Sequence, residues 1–316
     1  MLKMILAFFA HIFGFKSDVD DVSGPCFESL EPKTLMSASP FFFSDNNGTL
    51  QVFGTDADDK VAIEVVGKEA RVSTDKKISV FSDVQGLYVY LAGGKNSVSV
   101  SVISPSDFFY TQIITGDQKD FVRFSGVGLS SVEKSGIAFI STNGGDDKVI
   151  VDTDQGVYVS AGFGDDFITT AGYNKFFQVN HQFVGGPGDD LLITHTGGIL
   201  YGEDGNDRLI SKSLGNFQTI IESGSGSDFV RTGAGVNYIS TGSGNKIIRG
   251  GVGQDTVMVF PTAIWNGLTY QIYPLGKLNF HGGDGIDSLF LHPDFKMLGY
   301  RTKGVESITM LFDFKG

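Results

Sequence analysis

The chain has 316 residues, with 24 lysines and arginines against 36 aspartates and glutamates and a formal net charge of −12 at pH 7. Its 43 glycines are about twice the usual share of roughly 7%, and its one cysteine allows no internal disulfide. The acidic balance argues against a nucleic-acid-binding protein, which needs basic surface to contact phosphates, whereas 41% hydrophobic residues are enough to build a core.

Residues 1–16 form an apolar N-terminal segment that is interrupted by Lys3 and His11. A membrane-spanning helix needs about 20 apolar residues, so this run is too short to cross a bilayer comfortably. One lysine followed by an apolar stretch is typical of a secretory signal, although no clean small-residue cleavage site follows. Three interpretations stay open: an export signal, an uncleaved anchor that contacts a membrane or a larger assembly, and a buried helix that caps the fold.

Residues 17–40 are polar, contain proline and lack hydrophobic periodicity, which predicts a linker. Within this linker, residues 30–38 read LEPKTLMSA and resemble the LEPR-XLL segment near the N-terminus of many bacterial surface or exported proteins. Lys33 stands where that segment has arginine, and Met36 stands where it has leucine. The resemblance implies an envelope or extracellular destination and carries no information about activity.

A nine-residue pattern recurs in the rest of the chain and is clearest in residues 185–193, which read GGPGDDLLI. The units align on the glycine at position four and the polar residue at position six. Position eight, which plays no part in the alignment, is aliphatic in every unit. The residues at position six are Asp147, Asp166, Asp190, Asp207, Asp228, Asn237, Lys246, Asp255 and Asp287. Weaker units upstream place Asp59, Asn96 and Asp120 at the same position.

This periodicity predicts an all-β fold, a right-handed parallel β-solenoid of the β-roll or β-helix type with short strands and glycine- and aspartate-rich turns. Glycine permits the positive φ angles of tight turns, and stacked strands lie about 4.8 Å apart. The aliphatic residue at position eight then points inward and forms a core between coils, because a single coil cannot bury its own face. Spacings of 17 to 24 residues between several units predict two strands and two turns per coil.

The unit Gly-Gly-x-Gly-x-Asp-x-aliphatic-x resembles the RTX, or haemolysin-type, calcium-binding nonapeptide repeat. The resemblance implies that Ca²⁺, which takes six to eight oxygen ligands, lies between the glycine turns of successive coils. On one edge, the implied carboxylate and carbonyl ligands come from Asp147, Gly164, Asp166, Gly186, Gly188, Asp190, Gly205, Asp207, Gly226 and Asp228. Asn237 and Asp255 would form a weaker site on the opposite edge.

Lys246 occupies position six at the far end of this row. An ammonium group cannot ligate Ca²⁺, so the row of ligands is predicted to end near Asp228. The alternative is that the turns are structural only, because glycine and aspartate are favoured turn residues without any metal. Carboxylates that stack about 5 Å apart repel each other, which favours a bound cation over this alternative.

The repeat divides the chain into regions. Residues 41–140 match the unit loosely and are predicted to form degenerate solenoid coils, with a separate β domain as the alternative. Residues 141–258 carry the RTX-like calcium-binding repeats. Residues 259–316 are predicted to form a C-terminal β coil and cap, or to carry a secretion signal as in many RTX proteins.

These features predict an exported calcium-binding β-solenoid that serves as a surface, matrix or adhesion-type structural module. We expect it to be extracellular or at the cell surface of a bacterial envelope. The expected partners are calcium and either polysaccharides or surface proteins, without nucleic acid. The sequence contains no H-E-x-x-H zinc motif and no G-x-S-x-G elbow, which disfavours an enzyme.

One enzymatic alternative stays open, a calcium-dependent polysaccharide lyase or epimerase on a parallel β-helix. Such an enzyme needs a cation to neutralise the uronate and a base to take its α-proton. Basic residues at positions seven and nine would place a basic stripe on one strand face; they are Lys148, Arg208, Arg123, Arg231 and Arg249. The same residues also suit an ordinary solvated face on which they pair with the surplus acids.

Overall fold

The computed structural model describes residues 39–103, 109–127, 137–171, 181–259, 262–265, 270–273, 275–291 and 299–310. Residues 1–38, which include the apolar N-terminal segment and the LEPR-XLL-like stretch, lie outside this part, so what the sequence predicts for them stays a prediction. The described residues form strands and turns without a helix. Accordingly, they include no helix with the length and hydrophobicity that crossing a membrane requires.

The described residues contain 29 strands. In chain order they are β1 (Phe41–Ser44), β2 (Thr49–Phe53), β3 (Lys60–Val66), β4 (Glu69–Thr74), β5 (Ile78–Phe81), β6 (Gly86–Tyr90), β7 (Ser97–Ile103), β8 (Tyr110–Ile114), β9 (Phe121–Val127), β10 (Ile137–Ser141), β11 (Lys148–Thr153), β12 (Val157–Ser160), β13 (Phe167–Thr170), β14 (Gln182–Val184), β15 (Leu191–Thr194), β16 (Gly198–Tyr201), β17 (Arg208–Ser211), β18 (Gln218–Glu222), β19 (Asp228–Arg231), β20 (Gly235–Thr241), β21 (Gly244–Arg249), β22 (Val252–Val259), β23 (Thr262–Trp265), β24 (Tyr270–Tyr273), β25 (Leu275–His281), β26 (Asp284–Gly285), β27 (Ser288–Leu291), β28 (Gly299–Lys303) and β29 (Ser307–Met310).

These strands form two long sheets and one short antiparallel pair, β23 with β24. Sheet A has 14 strands in the order β1-β2-β6-β8-β10-β12-β14-β16-β18-β20-β22-β27-β29, and β26 also pairs with β22. Sheet B has 13 strands in the order β28-β25-β21-β19-β17-β15-β13-β11-β9-β7-β3-β4-β5. From β6 to β22, even-numbered strands belong to sheet A and odd-numbered strands to sheet B, so each coil places one strand in each sheet.

The stacked strands pair in parallel, as β11 does with β9 on one side and β13 on the other. Two mostly parallel sheets without a described helix confirm the predicted all-β class and are consistent with a β-solenoid or β-roll. The right-handed sense of the coil stays a prediction. Residues 41–103 contribute β1 to β7 to the same two sheets, and residues 275–310 contribute β25 to β29.

Antiparallel strands cover the first edge of each sheet. In sheet A, β1 pairs antiparallel with β2. In sheet B, β4 pairs antiparallel with β3, and β5 pairs antiparallel with β4. An open sheet edge offers unpaired backbone groups to other chains, so a change of strand direction at this end interrupts the parallel repeat that another copy would continue.

The core is a set of aliphatic rows that run from coil to coil. In sheet B the position-eight residues Val149, Ile168 and Leu192 lie opposite one another in consecutive strands and are fully buried. Burying one such side chain stabilises the fold by about 1.5–3 kcal/mol. The complete row consists of Val61, Val98, Val122, Val149, Ile168, Leu192, Leu209, Val230, Ile248 and Phe280. It fixes the register of the strands and therefore that of the turns that precede them.

Candidate metal-binding edge

The position-six residues of consecutive coils stack along the edge where the chain enters sheet B. This set, the position-six ladder, consists of Asp59, Asn96, Asp120, Asp147, Asp166, Asp190, Asp207, Asp228 and Lys246. The members from Asp59 to Asp228 begin or directly precede a strand of sheet B, and Lys246 is the third residue of β21. The strand register places each member beside the next one. Every member is buried, with at most 7% of its surface exposed.

A chain of hydrogen bonds holds one oxygen of each ladder carboxylate. The backbone N–H of Asp166 donates to Oδ1 of Asp190 at 2.8 Å, and the N–H of Asp190 donates to Oδ1 of Asp207 at 2.9 Å. The same bond links every neighbouring pair from Asp59 to Asp228, with donor–acceptor distances between 2.6 and 3.1 Å. Because hydrogen bonds to a carboxylate are stronger than neutral ones, this chain fixes how each carboxylate is oriented.

The other carboxylate oxygen, Oδ2, is buried without a hydrogen-bond partner in the middle of the ladder. This holds for Asp120, Asp147, Asp166, Asp190 and Asp207. A Cβ on Gly185 would overlap Oδ2 of Asp190 and one on Gly202 would overlap Oδ2 of Asp207, so these oxygens lie against glycines that offer no side-chain donor. A buried carboxylate oxygen without a partner is costly, so each of these atoms calls for a proton or a cation.

Burial raises the pKa of the central ladder carboxyls in the absence of a cation. The pKa rises to about 6 at Asp166, to about 7 at Asp147 and Asp207, and to about 8 at Asp190. Removal from water is the main cause, and at Asp190 the charges of Asp166 and Asp207 raise the pKa further. A bound cation acts in the opposite direction, because it favours the ionised carboxylates.

Lys246 shows what kind of group the turns can hold. Its buried ammonium group donates to the carbonyl oxygen of Gly224 at 2.9 Å, to that of Gly226 at 3.0 Å and to Oδ2 of Asp228. These acceptors are the carbonyls at positions two and four and the carboxylate at position six of one unit. The ammonium is therefore a stand-in cation, and its contacts show that a turn of this type can surround a positive charge with oxygen atoms.

The other turns offer the same donor atoms without a lysine. Positions two, four and six are Gly162, Gly164 and Asp166 in one coil and Gly186, Gly188 and Asp190 in the next. Carbonyl and carboxylate oxygens are the ligands that Ca²⁺ prefers. The residues present therefore fit the ion that the sequence resemblance implies, and the unpartnered Oδ2 atoms are where its charge is needed.

Both ends of the ladder are closed by donors of the chain itself. At the far end, Lys246 neutralises Asp228. At the near end, the amide Nδ2 of Asn96 donates to the carbonyls of Gly93 and Gly94 at 3.0 and 3.1 Å, and Oδ2 of Asp59 accepts from the backbone of Thr55. Between these ends, Oδ2 has no hydrogen-bond partner in five aspartates: Asp120, Asp147, Asp166, Asp190 and Asp207. The hydroxyls of Thr115 and Thr142 lie close enough to lower the pKa of Asp120 and Asp147, whereas no side-chain donor acts on the other three.

The structure brings the predicted ligands of this edge together. Asp147, Asp166, Asp190, Asp207 and Asp228 occupy consecutive steps of the ladder. The predicted glycines lie in the turns before them, and all have a positive φ angle; they are Gly164, Gly186, Gly188, Gly205 and Gly226. A Cβ on Gly188 would overlap the carbonyl oxygen of Gly164, so close stacking of the turns requires glycine here.

The opposite edge holds the second predicted pair. Asn237 lies beside Asp255 in the register of β20 and β22, and its Nδ2 donates to Oδ1 of Asp255 at 2.8 Å. Oδ1 also accepts from Thr232, and Oδ2 of Asp255 accepts from the backbone of Gly251 at 3.0 Å. Both oxygens of Asp255 thus have protein donors, and a calcium site at this pair stays a prediction.

Some residues that line the two edges were not among the ligands predicted from the sequence. Asp120 has the same unpartnered Oδ2 as Asp147, and only the weak upstream match at position six pointed to it. On the opposite edge, Asp287 accepts from the backbone of Asp255 and donates its own N–H to Glu306. Asp287 falls in a recognisable unit, whereas no repeat pattern marks Glu306.

No group of three or more His, Cys, Asp and Glu side chains that could hold a metal ion occurs in the described ranges. This agrees with the ladder geometry, in which each turn supplies one carboxylate and the remaining oxygens belong to backbone carbonyls. A metal bound here would be held by two neighbouring turns rather than by a cluster of side chains.

A comparison with known protein families matches part of this edge. Residues 199–213 and 222–257 match the family model of the RTX calcium-binding nonapeptide repeat in four copies. The matched segments contain Asp207, Asp228, Asn237, Lys246 and Asp255. No curated protein and no solved structure matches the chain. RTX nonapeptide repeats bind Ca²⁺, and residues 199–257 therefore carry calcium-binding repeats of the RTX type.

Proposed function

We propose that this protein is an exported calcium-binding β-roll module that serves as a structural element of a bacterial surface or extracellular matrix. The RTX repeats imply the calcium-binding β-roll. The observation that carries the proposal for the site is the run of unpartnered Oδ2 atoms between Asn96 and Lys246. The chain closes the ladder with its own donors at both ends and leaves the middle to an external cation.

In this proposal the turns between Asp120 and Asp207 hold the ions. Calcium supplies the positive charge that the buried carboxylates lack. Oδ2 at position six and the carbonyls at positions two and four orient around that charge, while the backbone hydrogen bonds to Oδ1 keep each carboxylate in place. A ligand that binds only the folded chain stabilises it by RT ln(1 + [L]/Kd) per site.

The location follows from calcium supply. RTX repeats are typical of secreted bacterial proteins, and extracellular calcium modules bind with Kd of about 10⁻⁴–10⁻³ M. Such sites are empty in the cytosol and filled outside the cell, so the chain stays loosely folded before export and becomes rigid afterwards. Polysaccharides and surface proteins are the partner classes of such a module. The lyase or epimerase alternative is not favoured, because the RTX match accounts for calcium binding and adds no catalytic group.

The test compares two neighbouring aspartates with opposite environments. Asp190 is buried in the ladder, whereas Asp189 is exposed and accepts from the backbone of Asn206 at 2.8 Å. Asp190→Asn keeps the Oδ1 acceptor and removes the charge that calcium needs; Asp189→Asn makes the same charge change outside the ladder. We expect calcium titration calorimetry to show weaker binding or a lost site for Asp190→Asn and wild-type binding for Asp189→Asn.

Urea unfolding of the wild-type chain with calcium and with chelator completes the test. We expect a higher midpoint in calcium, and a smaller calcium-dependent gain for Asp190→Asn. Equal wild-type midpoints, together with no heat of calcium binding, would contradict the proposal and leave the glycine turns as structural features only.

A further inference from the structure

The outer face of sheet B carries a row of basic side chains near its C-terminal end. Arg231, Arg249, His281 and Lys303 lie directly opposite one another in the four consecutive strands β19, β21, β25 and β28. All four are exposed. Together with three exposed neighbours on the same strands and on β17, they form what we call the basic face: Arg208, Arg231, Arg249, Lys277, His281, Arg301 and Lys303.

Among the described residues of this face, acidic side chains are missing. The outward-facing described residues of the five strands are Arg208, Ile210, Phe229, Arg231, Asn245, Ile247, Arg249, Lys277, Asn279, His281, Arg301 and Lys303. The ion pairs Arg123 with Asp152 and Lys246 with Asp228 both lie outside the basic face. Like charges opposite each other on neighbouring strands are destabilising. In a chain with a net charge of −12, this arrangement calls for an anionic partner.

The exposed turn residues next to the basic face differ in charge from those of the middle coils. The residue directly before each ladder residue, position five of its unit, is exposed. In the middle coils this position is acidic, and the backbone N–H of Asp189 donates to Oδ1 of Asp165 at 2.9 Å. Beside the basic face it becomes neutral and then basic, through Asn206, Ser227, Asn245 and Lys277. Charge is therefore segregated along the stack, and the basic face is not bordered by carboxylates on this side.

Aromatic and amide side chains lie next to the charged residues of the basic face. The guanidinium groups of Arg208 and Arg249 each lie 5.4 Å from the centre of the Phe229 ring, which holds them in place on either side. Next to them is a shallow cleft of about 670 Å³ lined by polar groups of Asn245, Lys277, Asn279 and Arg301 and by Tyr300. Tyr300 lies opposite the buried Leu278 in the register of β25 and β28, so its ring is on the inward side of the last strand and is exposed because the sheet ends there. The amide and guanidinium donors of the cleft suit the hydroxyl and carboxylate groups of a sugar.

We propose that the basic face binds a linear polyuronate, an acidic polysaccharide with one carboxylate per sugar ring, which lies along the stack of strands. Strands repeat every 4.7–4.9 Å, roughly the length of one sugar unit. Because alternate rings of an extended β-1,4-linked chain are turned over, carboxylates on one side recur at about two strand spacings, which matches the spacing of Arg249 and Lys303 on either side of His281. Arginine pairs with carboxylates through two parallel hydrogen bonds, which favours it at such a surface. The proposal names a partner for the matrix role above and rests on it only for the location of the protein.

The direct test uses the full chain in calcium-containing buffer and a fluorescent β-1,4-linked oligoglucuronate as the probe. The variant is Arg231→Gln/Arg249→Gln/Lys303→Gln. The matched control is Lys60→Gln/Arg123→Gln/Lys148→Gln, which removes the same charge from the first half of the same sheet face. We expect the first variant to bind at least about tenfold more weakly, or ~1.4 kcal/mol, and the control to bind within about twofold of wild type.

Two further probes test whether the basic face recognises the carboxylate charge and the sugar chain. The methyl ester of the oligoglucuronate lacks the charge and is expected not to bind. Single-stranded oligothymidylate of the same charge is expected to bind more weakly than the oligoglucuronate. The proposal is overturned by absent wild-type binding up to about 1 mM probe, by equal losses in both triple variants, or by tighter binding of the oligothymidylate. Calcium calorimetry on the same variants should be unchanged, so loss of polyuronate binding is distinguishable from failure of the calcium sites.

Discussion

At Asp190 the two carboxylate oxygens have different environments. Oδ1 accepts a backbone hydrogen bond from the previous coil, whereas Oδ2 is buried without a partner. The first contact resembles a turn-stabilising bond that needs no metal. The second oxygen favours a bound cation over a purely structural turn, because a buried, unpartnered oxygen is costly unless a proton or a cation neutralises it.

The raised pKa values predict how metal-free stability changes with pH. The folded-state pKa is about 7 at Asp147 and Asp207 and about 8 at Asp190, against roughly 3.9 in an unfolded chain. Between these limits the folded state binds more protons than the unfolded state, so stability falls as pH rises. In metal-stripped buffer we expect a higher urea midpoint at pH 5 than at pH 8.

Calcium should reverse this trend, since it requires ionised carboxylates and releases protons when it binds. Urea unfolding at the two pH values with saturating calcium provides the comparison. A metal-free chain that is more stable at pH 8 than at pH 5 would show that the ladder carboxyls are already ionised in the folded protein.

Lys246 permits a gain-of-site experiment. Lys246→Asp removes the ammonium that three oxygens surround and places a second carboxylate beside Asp228. Breaking a buried ion pair costs about 3–5 kcal/mol, so we expect a marked loss of stability in chelator. In calcium we expect most of the loss to be recovered and one additional ion to bind per chain, as measured by calorimetric stoichiometry.

The control is Lys95→Asp, which makes the same charge change at an exposed turn residue. It should change neither the stoichiometry nor the stability by more than about 0.5 kcal/mol. An unchanged stoichiometry in a folded Lys246→Asp variant would mean that the cradle around Lys246 does not represent a calcium site.

At the scale of single elements, the strands are too short to be stable alone. β14 has three residues and β15 has four, and both depend on the strands stacked above and below them. The turns therefore have to bring successive strands to the same separation. Position-four glycines make this possible because the carbonyl of one turn lies where a Cβ of the next would be.

Two glycines with positive φ angles differ in whether another turn stacks against them. Gly188 has φ of 148° and faces the Gly164 carbonyl, whereas Gly67 has φ of 60° and no atom within 4 Å of a would-be Cβ. We expect Gly67→Ala to cost about 1–2 kcal/mol, from the left-handed conformation alone. Gly188→Ala should cost clearly more, because φ of 148° is less accessible to alanine than the left-handed region and because a turn must also move. Similar urea midpoints for both variants would argue against close stacking of the turns.

On the scale of the whole molecule, the coils differ in whether the protein's own hydrogen-bond donors satisfy the turn at position six. The coils around Asp59 and Asn96 close their turns with their own amide and backbone donors, whereas those from Asp120 to Asp207 do not. In chelator we expect hydrogen exchange to become fast first in β11, β13 and β15, while β3 and β7 stay protected.

With saturating calcium the same strands should regain protection and the difference should largely disappear. Exchange measured by mass spectrometry on peptides from each region would show this. Uniform loss of protection along the whole chain in chelator would instead indicate that the solenoid unfolds as one unit and that the first coils have no separate stability.

The repeating part of this protein was predictable from the amino-acid sequence alone. The nine-residue unit contains its own turn glycine, its position-six ligand and its inward aliphatic residue, so short-range chemistry was enough to predict the parallel stack, the row from Asp147 to Asp228 and its end at Lys246. The tertiary structure decided what depends on register between coils. Asp120 joins the ladder 27 residues before Asp147, and Arg249, His281 and Lys303 align across spacings of 32 and 22 residues. Such spacings depend on the lengths of the connecting loops, and only the stacking of the folded coils shows which side chains become neighbours.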